Sequence, residues 1–237
     1  MTRIMLDNWE DLPLRMQTDE VRPYWESLNK KRKQLMIKRC MDITLSAAGL
    51  VLMSAPMLTI AFCIKLDSPG PVFFRQERVT ANGQRFRIHK FRTMIMGAEK
   101  SGNAITAAGD SRITRTGAML RRTKLDELPQ LMDVLIGNMS LVGTRPEAEC
   151  YVKRYKPEYM ATLLLPAGIT SEASLRFLEE EEMLRGAENV DDFYTDIILP
   201  EKMKYNLAEL RTFSIKNDIR TLIHTVRSVG RRTQSDE

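Results

Sequence analysis

The sequence predicts an α/β domain, mostly helical, that associates with a membrane through a helix–break–helix segment and carries one small β-hairpin. Three observations lead there. Ile43 to Ile64 is an uncharged run closed by Asp42 and Lys65, and about 20 apolar residues are the usual signature of a membrane helix. The alternating segments VFFRQERV and RFRIHKFRTM flank the turn residues ANGQ, the pattern of a hairpin. Apolar residues recur at helical spacing at Leu128, Leu131, Met132, Leu135 and Ile136, and again at Ile215, Ile219, Leu222, Ile223, Val226 and Val229.

With 237 residues, 43% of them hydrophobic and 28% charged, the chain can bury a core as one domain with appendages or two small ones. A net charge of +5 favours anionic partners: phospholipid, nucleotide, sugar phosphate or nucleic acid. Cys40, Cys63 and Cys150 are odd in number and without a CxxC pair, which points to reduced thiols rather than a disulfide scaffold or zinc site. MTRIMLDNWEDLPLRM is too polar for a cleavable signal peptide, and the apolar run begins too late and is too long for one.

Taken in order, residues 1–23 read as an irregular leader. A helix from Tyr24 then feeds the apolar run. Lys30, Lys31, Arg32, Lys33, Lys38 and Arg39 are expected on anionic inner-leaflet headgroups, worth about 1 kcal/mol each. Beyond the run come Arg75, Arg78, Arg85, Arg87, Lys90 and Arg92, against only Asp67 and Glu77. Basic flanks prefer the cytoplasmic side, so a straight span would misplace one cluster. A break at Ser54–Pro56 resolves the conflict, because its arms would be roughly 20 and 14 Å long, short of a hydrocarbon core of about 30 Å. A re-entrant hairpin and a kinked span both remain open on these residues. The resulting division is 1–37 leader and basic juxtamembrane helix, 38–66 membrane helix, and 67–237 the remaining domain with C-terminal amphipathic helices.

Asp67-Ser68-Pro69-Gly70-Pro71 is turn chemistry, and Met96–Asp110 is small and polar, hence a loop. One helix is expected from near Ser111 through RITRTGAMLRRT and another from Asp126, with Pro129 in its first turn and Gly137-Asn138 closing it. MSLVGTRPEAE reads as a strand or loop, Pro166-Ala167-Gly168 as a turn, and two helices end the chain. The apolar face of the last is expected on the core, with the membrane interface as the second option.

Asp126-Glu127 is the sharpest chemical feature. The bland reading is an N-cap followed by a first-turn carboxylate. Against it, Arg112, Arg115, Arg121, Arg122 and Lys124 precede the pair closely, and Lys90, Arg92 and Arg145 could converge on it. A carboxylate among cations is expected to stay ionised, and can attack phosphorus or hold Mg²⁺ while cations receive phosphate oxygens. GxGxxG and GxxxxGK[ST] are absent; His89 and His224 are too few and too distant for a metal cluster; Ser140 and Ser171 lack a nucleophile-elbow context.

KRCMDITLSAAGLVLMSAP, DSPGPVFFRQERV, FRIHKFRTM, LRRTKLDELPQLMDVLIGNMSLVGTRPE and PAGIT together resemble, in order, the motifs of the bacterial sugar transferases. These are monotopic phosphoglycosyl transferases that begin glycan assembly on a polyprenyl phosphate. The resemblance covers roughly residues 38–229 and looks like the short form of the family. It implies a monotopic, re-entrant anchor at Ser54 and Pro56 and an active face on the cytoplasmic side of the bacterial inner membrane. It further implies transfer of sugar-1-phosphate from a UDP-sugar to undecaprenyl phosphate, with UMP released, by a ping-pong cycle with a covalent phosphosugar intermediate. Carried over, Asp126 is the nucleophile and the Mg²⁺ ligand. Glu127 is its proton-handling or metal-positioning partner. Lys90 and Arg121 fall on basic active-site positions, and Arg145 on the arginine of a Pro-Arg-Pro motif.

Thr144 stands where that motif has its first proline, Ser171-Glu172 replaces Gly-Trp after Thr170, and Asn206 stands at an often acidic position. Arg176 is aligned with a family arginine lying slightly later. These departures place in question borrowed sugar and nucleotide contacts beyond about residue 165. Arg92, Arg112 and Arg122 join Lys90, Arg121, Arg145 and Arg176 as expected substrate-binding cations. A membrane-anchored nucleic-acid-binding protein or an inactive scaffold is the rival reading. The sequence shows no nucleic-acid module, so no nucleic-acid partner is expected, and a homo-oligomer is left open.

Overall fold

The computed structural model describes residues 6–98, 110–184 and 189–234; most of the expected 96–110 loop lies outside them. The helices are α1 (Arg22–Asn29), α2 (Arg32–Leu52), α3 (Ser54–Asp67), α4 (Arg115–Thr123), α5 (Gln130–Ile136), α6 (Glu149–Val152), α7 (Glu172–Arg176), α8 (Glu180–Met183), α9 (Val190–Phe193), α10 (Leu199–Arg211) and α11 (Ile215–Gln234). The strands are β1 (Phe73–Val79), β2 (Arg85–Phe91), β3 (Met139–Val142) and β4 (Ala167–Thr170). The mostly helical chain with a hairpin is as expected: β1 and β2 are antiparallel through a turn with Asn82 and Gly83 at positive φ. A second pair was not foreseen. The expected turn at 166–168 is instead the start of β4, parallel to β3, where Gly168 lies so close to Gly143 that a Cβ would fall 2.1 Å from its nitrogen.

The described part of the leader has two short 3₁₀ turns, Trp9–Asp11 and Leu14–Met16, and is packed against the core. Leu6, Leu12, Met16, Val21, Tyr24 and Leu28 are buried in one cluster with Met160–Leu165 and Leu207–Phe213, because a chain rich in Leu, Met and aromatics gains more by covering that core than by staying solvated.

Among the described residues no single helix is long and apolar enough to cross a membrane; α2 and α3 together match a span by length and composition alone, bent by 60° at Met53. The break thus falls one residue before Ser54–Pro56. Pro56 is the third residue of α3, where a missing N–H leaves no intrahelical bond unmade. Ser54 Oγ donates to Val51 O at 2.8 Å, compensating part of the interrupted ladder. Val51, Leu52 and Leu58 are exposed near the bend, and Phe62 and Leu66 further along α3; exposed apolar residues of this kind mark an interaction surface.

The basic residues before the run do a different job from the one expected. Lys38 and Arg39 are buried, not on headgroups. Lys38 Nζ donates to Asp218 Oδ2 at 2.6 Å and Val142 O at 2.8 Å, tying α2 to α11 and β3. Arg39 donates to Val134 O at 2.7 Å and Leu135 O at 3.1 Å, at the negative end of α5. Asp42, fully buried, accepts from Ser140 Oγ at 2.8 Å and Leu141 N at 3.1 Å. Lys31 and Arg32 also donate to protein groups, among them Phe213 O and Asn8 Oδ1.

The far end of the bent pair is equally fixed. Arg92 Nη1 donates to Pro69 O at 2.9 Å and Nη2 to Ser68 O at 2.7 Å, and Asp67 accepts from Thr116 N at 2.8 Å in the first turn of α4. Ile60 and Ile64 of α3 pack with Phe91 and Leu120, flanked by Leu125 and Leu128. On α11 the expected inward face is reversed in part: Asp218 and Thr221 are buried, whereas Ile219, Ile223 and Val226 are exposed. Pairing of Asp218 with Lys38 fixes that rotation.

Lys38→Ala should cost about 3–5 kcal/mol in chemical denaturation, because it strands a buried Asp218. The double variant Lys38→Met/Asp218→Leu should recover most of that loss; a double variant as unstable as the single one would count against the pair as the cause.

Candidate active site

The dyad occupies neither of the helix positions expected for it. The helix before it begins at Arg115, with Thr114 Oγ1 accepting from Gly117 N as N-cap, rather than near Ser111. It ends at Lys124, whose φ of 56° is left-handed. That conformation reverses the chain into a 3₁₀ turn, Leu125–Glu127, and α5 starts only at Gln130 with Pro129 before it. Asp126 is therefore no N-cap. Leu125 and Leu128 pack on the Ile60–Ile64–Phe91–Leu120 cluster, which holds the turn between them against β2.

β2 is itself pinned to α5: His89 N donates to Asp133 Oδ2 at 2.8 Å, and His89 Nδ1 lies 2.8 Å from Asp133 Oδ1. The next residue, Lys90, reaches Glu127 Oε1 at 3.0 Å. From the other side, Arg145 donates from Nη1 to Glu127 Oε2 at 3.0 Å and from Nη2 to Glu127 Oε1, a bidentate fork. Arg145 follows β3 in an extended stretch anchored by Gly168 N to Thr144 O at 2.9 Å. One carboxylate thus takes both cations.

Asp126 is left with none in contact. It is buried, and its Oδ1 has no hydrogen-bond partner. Burial and then the charge of Glu127 push its carboxyl up to about 6, while Lys90, Lys124 and Arg121 oppose that rise. A carboxyl near 6 is still mostly ionised at neutral pH, but burial, which the residues alone did not reveal, brings it close to its titration range. Burial would raise Glu127 as well, but Arg145 and Lys90 outweigh it and hold that carboxyl well below its usual range. Its two cation contacts suit Glu127 to the positioning half of its expected role. Lys90 is lowered by burial, against the attraction of Glu127; Arg145 is raised chiefly by Glu127.

Of the expected substrate-binding cations, Lys90, Arg145 and Arg121 converge on the dyad. Arg92 clamps the end of α3. Arg112 is held by Asp110 and Ala98 O, and Arg122 lies on the exposed side of α4. Arg176 pairs with Glu172 at 3.1 Å and lies over the Tyr205 ring at 4.6 Å.

Three residues were missed. Gln130, one turn past Asp126, is buried with neither amide atom partnered. Lys202 is buried and joins Glu147, Glu180 and the Tyr194 hydroxyl. Arg78 shares a hairpin face with Lys90. Strict alternation through VFFRQERV and ANGQ could have shown that last placement.

Among the described residues no cluster of three or more His, Cys, Asp or Glu could hold a metal. The unpartnered Asp126 oxygen nevertheless fits a hard divalent cation that takes one or two carboxylate oxygens and completes its shell with water and phosphate.

An unpartnered acid buried among cations defines a site for anionic substrates. The profile of the bacterial sugar transferase family matches residues 33–232, and the chain belongs to that family of transferase enzymes. It is 37% identical over 197 residues to a UDP-N-acetylgalactosamine-undecaprenyl-phosphate N-acetylgalactosaminephosphotransferase of Aeromonas hydrophila, covering 81% of this chain and 43% of that one. Over 196 residues it is 37% identical to a UDP-glucose:undecaprenyl-phosphate glucose-1-phosphate transferase of Caulobacter vibrioides, covering 81% of this chain and 69% of the relative. Over 203 residues it is 38% identical to an exopolysaccharide production protein of Rhizobium leguminosarum, covering 81% and 94%. The chain thus spans under half of some relatives and nearly all of others.

A carboxyl raised to about 6 when folded favours the fold below its unfolded pKa and loses that contribution as pH rises through 6. Asp126→Asn cannot ionise, so its Tm relative to wild type should climb between pH 4 and 7 and exceed it at pH 8. Glu127→Gln strands two cations and should cost about 3–5 kcal/mol. Thermal melts of both variants across pH check the pair; a flat Asp126→Asn difference would sink the first expectation.

Proposed function

We propose that the chain transfers a sugar-1-phosphate from a UDP-sugar to undecaprenyl phosphate, through a covalent intermediate on Asp126. The observation that carries this reading is the division of labour in the dyad: Glu127 engages Lys90 and Arg145 while Asp126 keeps a buried oxygen without a partner. Such an oxygen has lost the water that would blunt it as a nucleophile. Family membership and the printed activities of the relatives support the donor and acceptor classes.

In the first half-reaction an Asp126 oxygen attacks the sugar-linked phosphorus. An acyl-phosphate bond forms, the bond to the bridging oxygen breaks, and UMP leaves with the electron pair. In the second, an undecaprenyl phosphate oxygen attacks the same phosphorus and displaces the carboxylate, giving undecaprenyl-diphosphate-sugar. Lys90 and Arg145, oriented by Glu127, face the phosphate oxygens. Mg²⁺ held by Asp126 and phosphate oxygens would supply charge neutralisation.

The same reading assigns α2–α3 to a re-entrant anchor in the bacterial inner membrane, with residues 67–237 on its cytoplasmic face. The bend, the exposed apolar residues of α2 and α3 and the exposed Ile219, Ile223 and Val226 of α11 support it. Because Lys38, Arg39, Asp42 and Ser46 are buried in the protein, this reading gives lipid the exposed surface of α2, which includes Leu45, Val51 and Leu52.

Asp126→Asn should lose UMP release from every UDP-sugar that wild type uses, in a panel with undecaprenyl phosphate and Mg²⁺. In wild type, kcat/KM should rise with pH through an apparent pKa near 6, since the ionised carboxylate attacks. Wild-type UMP release by the variant would falsify the nucleophile assignment. For topology, tags before Lys30 and after Arg232 should both resist labelling from outside intact cells; labelling of either would restore a spanning helix.

A further inference from the structure

The inner face of the hairpin carries a cation that no carboxylate neutralises directly. The β1–β2 register sets Phe74 opposite Lys90, Gln76 opposite Ile88 and Arg78 opposite Phe86. Side chains alternate along a strand and align across it, so Arg78, Gln76 and Lys90 leave from the same face, the one on which Phe86 and Ile88 are buried. Arg78 folds back along its own strand, Nη2 donating to Gln76 Oε1 at 2.7 Å. That contact turns the guanidinium along the row toward Lys90.

Among the described residues no carboxylate forms an ion pair with Arg78. Its strongest attractive neighbour is Glu147, which already accepts from the Tyr194 hydroxyl at 2.6 Å and lies 3.5 Å from Lys202 Nζ. Burial lowers the Arg78 pKa, the charge of Arg145 lowers it further, and the charge of Arg78 in turn lowers Lys90. Arg78 and Lys90 therefore share one hairpin face, Arg145 is close enough for its charge to oppose that of both, and among the described residues Glu127 pairs with Lys90 and Arg145 alone. Like charges gathered out of water are costly unless an anion joins them.

We propose that Arg78 is a substrate-binding residue of the transfer reaction, receiving the non-transferred phosphate of the UDP-sugar and then the phosphate of departing UMP. This rests on the function proposed above. When the bond to the bridging oxygen breaks, the electron pair moves onto the UMP phosphate, so negative charge grows on the leaving side. Lys90 and Arg145 are held by Glu127 beside the attacking side. The planar guanidinium of Arg78 has five donors, one of them on Gln76, and its fork matches two phosphate oxygens.

The test is UMP titration by calorimetry on the full chain in nanodiscs, with steady-state kinetics alongside. Arg78→Gln should weaken UMP binding at least tenfold and raise KM for the UDP-sugar similarly, with KM for undecaprenyl phosphate changed less than twofold; Arg78→Lys should recover part of the loss. Should Arg78→Gln not fold, Gln76→Leu removes only the tether and should weaken UMP severalfold. Wild-type UMP affinity in these variants would overturn the assignment. So would a rise in both KM values together with a lowered Tm, the mark of a structural role beside Glu147. If the wild-type chain itself bound no UMP, the donor reading would fall and Arg78 with it, an outcome distinct from normal binding by the variants.

Discussion

Two carboxylates side by side in a buried turn cannot both be served by the same cations, and everything else in the site follows from which one is. Arg145 makes a bidentate contact with Glu127, and Lys90 shares an oxygen of the same group. Desolvation of that carboxylate is thereby offset, and it stays ionised far below the usual range. Asp126 keeps the cost of burial, and its carboxyl rises to about 6. A group that is ionised at neutral pH, desolvated and without a hydrogen bond has its strongest available interaction with an electrophile or a cation.

Holding that asymmetry requires rigid supports on every side. The 3₁₀ turn is gripped by Leu125 and Leu128 in the cluster that also receives α3. Lys90 is located by the His89–Asp133 contacts, and Arg145 by the β3–β4 pair. The bent α2–α3 pair is joined to the same scaffold at both ends, through Lys38, Arg39 and Asp42 at one and Arg92 and Asp67 at the other. In the proposed membrane setting those ties fix the depth of Asp126 relative to the bend, so that a lipid phosphate and a water-soluble nucleotide sugar can reach one carboxylate.

Much of this was legible in the chain. The hairpin, the broken apolar run and the paired carboxylates amid cations are local patterns, and the ordered motifs tied them to a family. Charge alone was less informative. Lys38 and Arg39 read as headgroup contacts because a basic cluster before an apolar run usually is one, yet their partners Asp218 and the α5 carbonyls lie about a hundred or more residues away. Arg92 was expected at the substrate for the same reason and instead closes a helix end. Asp126 resembled an N-cap, and only the left-handed Lys124 removes it from that position.

The sequence by itself determined the hairpin, the broken apolar run, the dyad, the set of cations available to it and the family. Periodicity, turn residues and motif order are written along the chain and need no distant partner to be read. Only the tertiary structure decided which cation meets which carboxylate, that Glu127 is the neutralised one, and that Arg78 shares a hairpin face with Lys90 without an ion pair of its own among the described residues. Those outcomes depend on the register of one hairpin and the rotation of a few helices, where angstrom distances in a low-dielectric interior set the balance between desolvation and pairing.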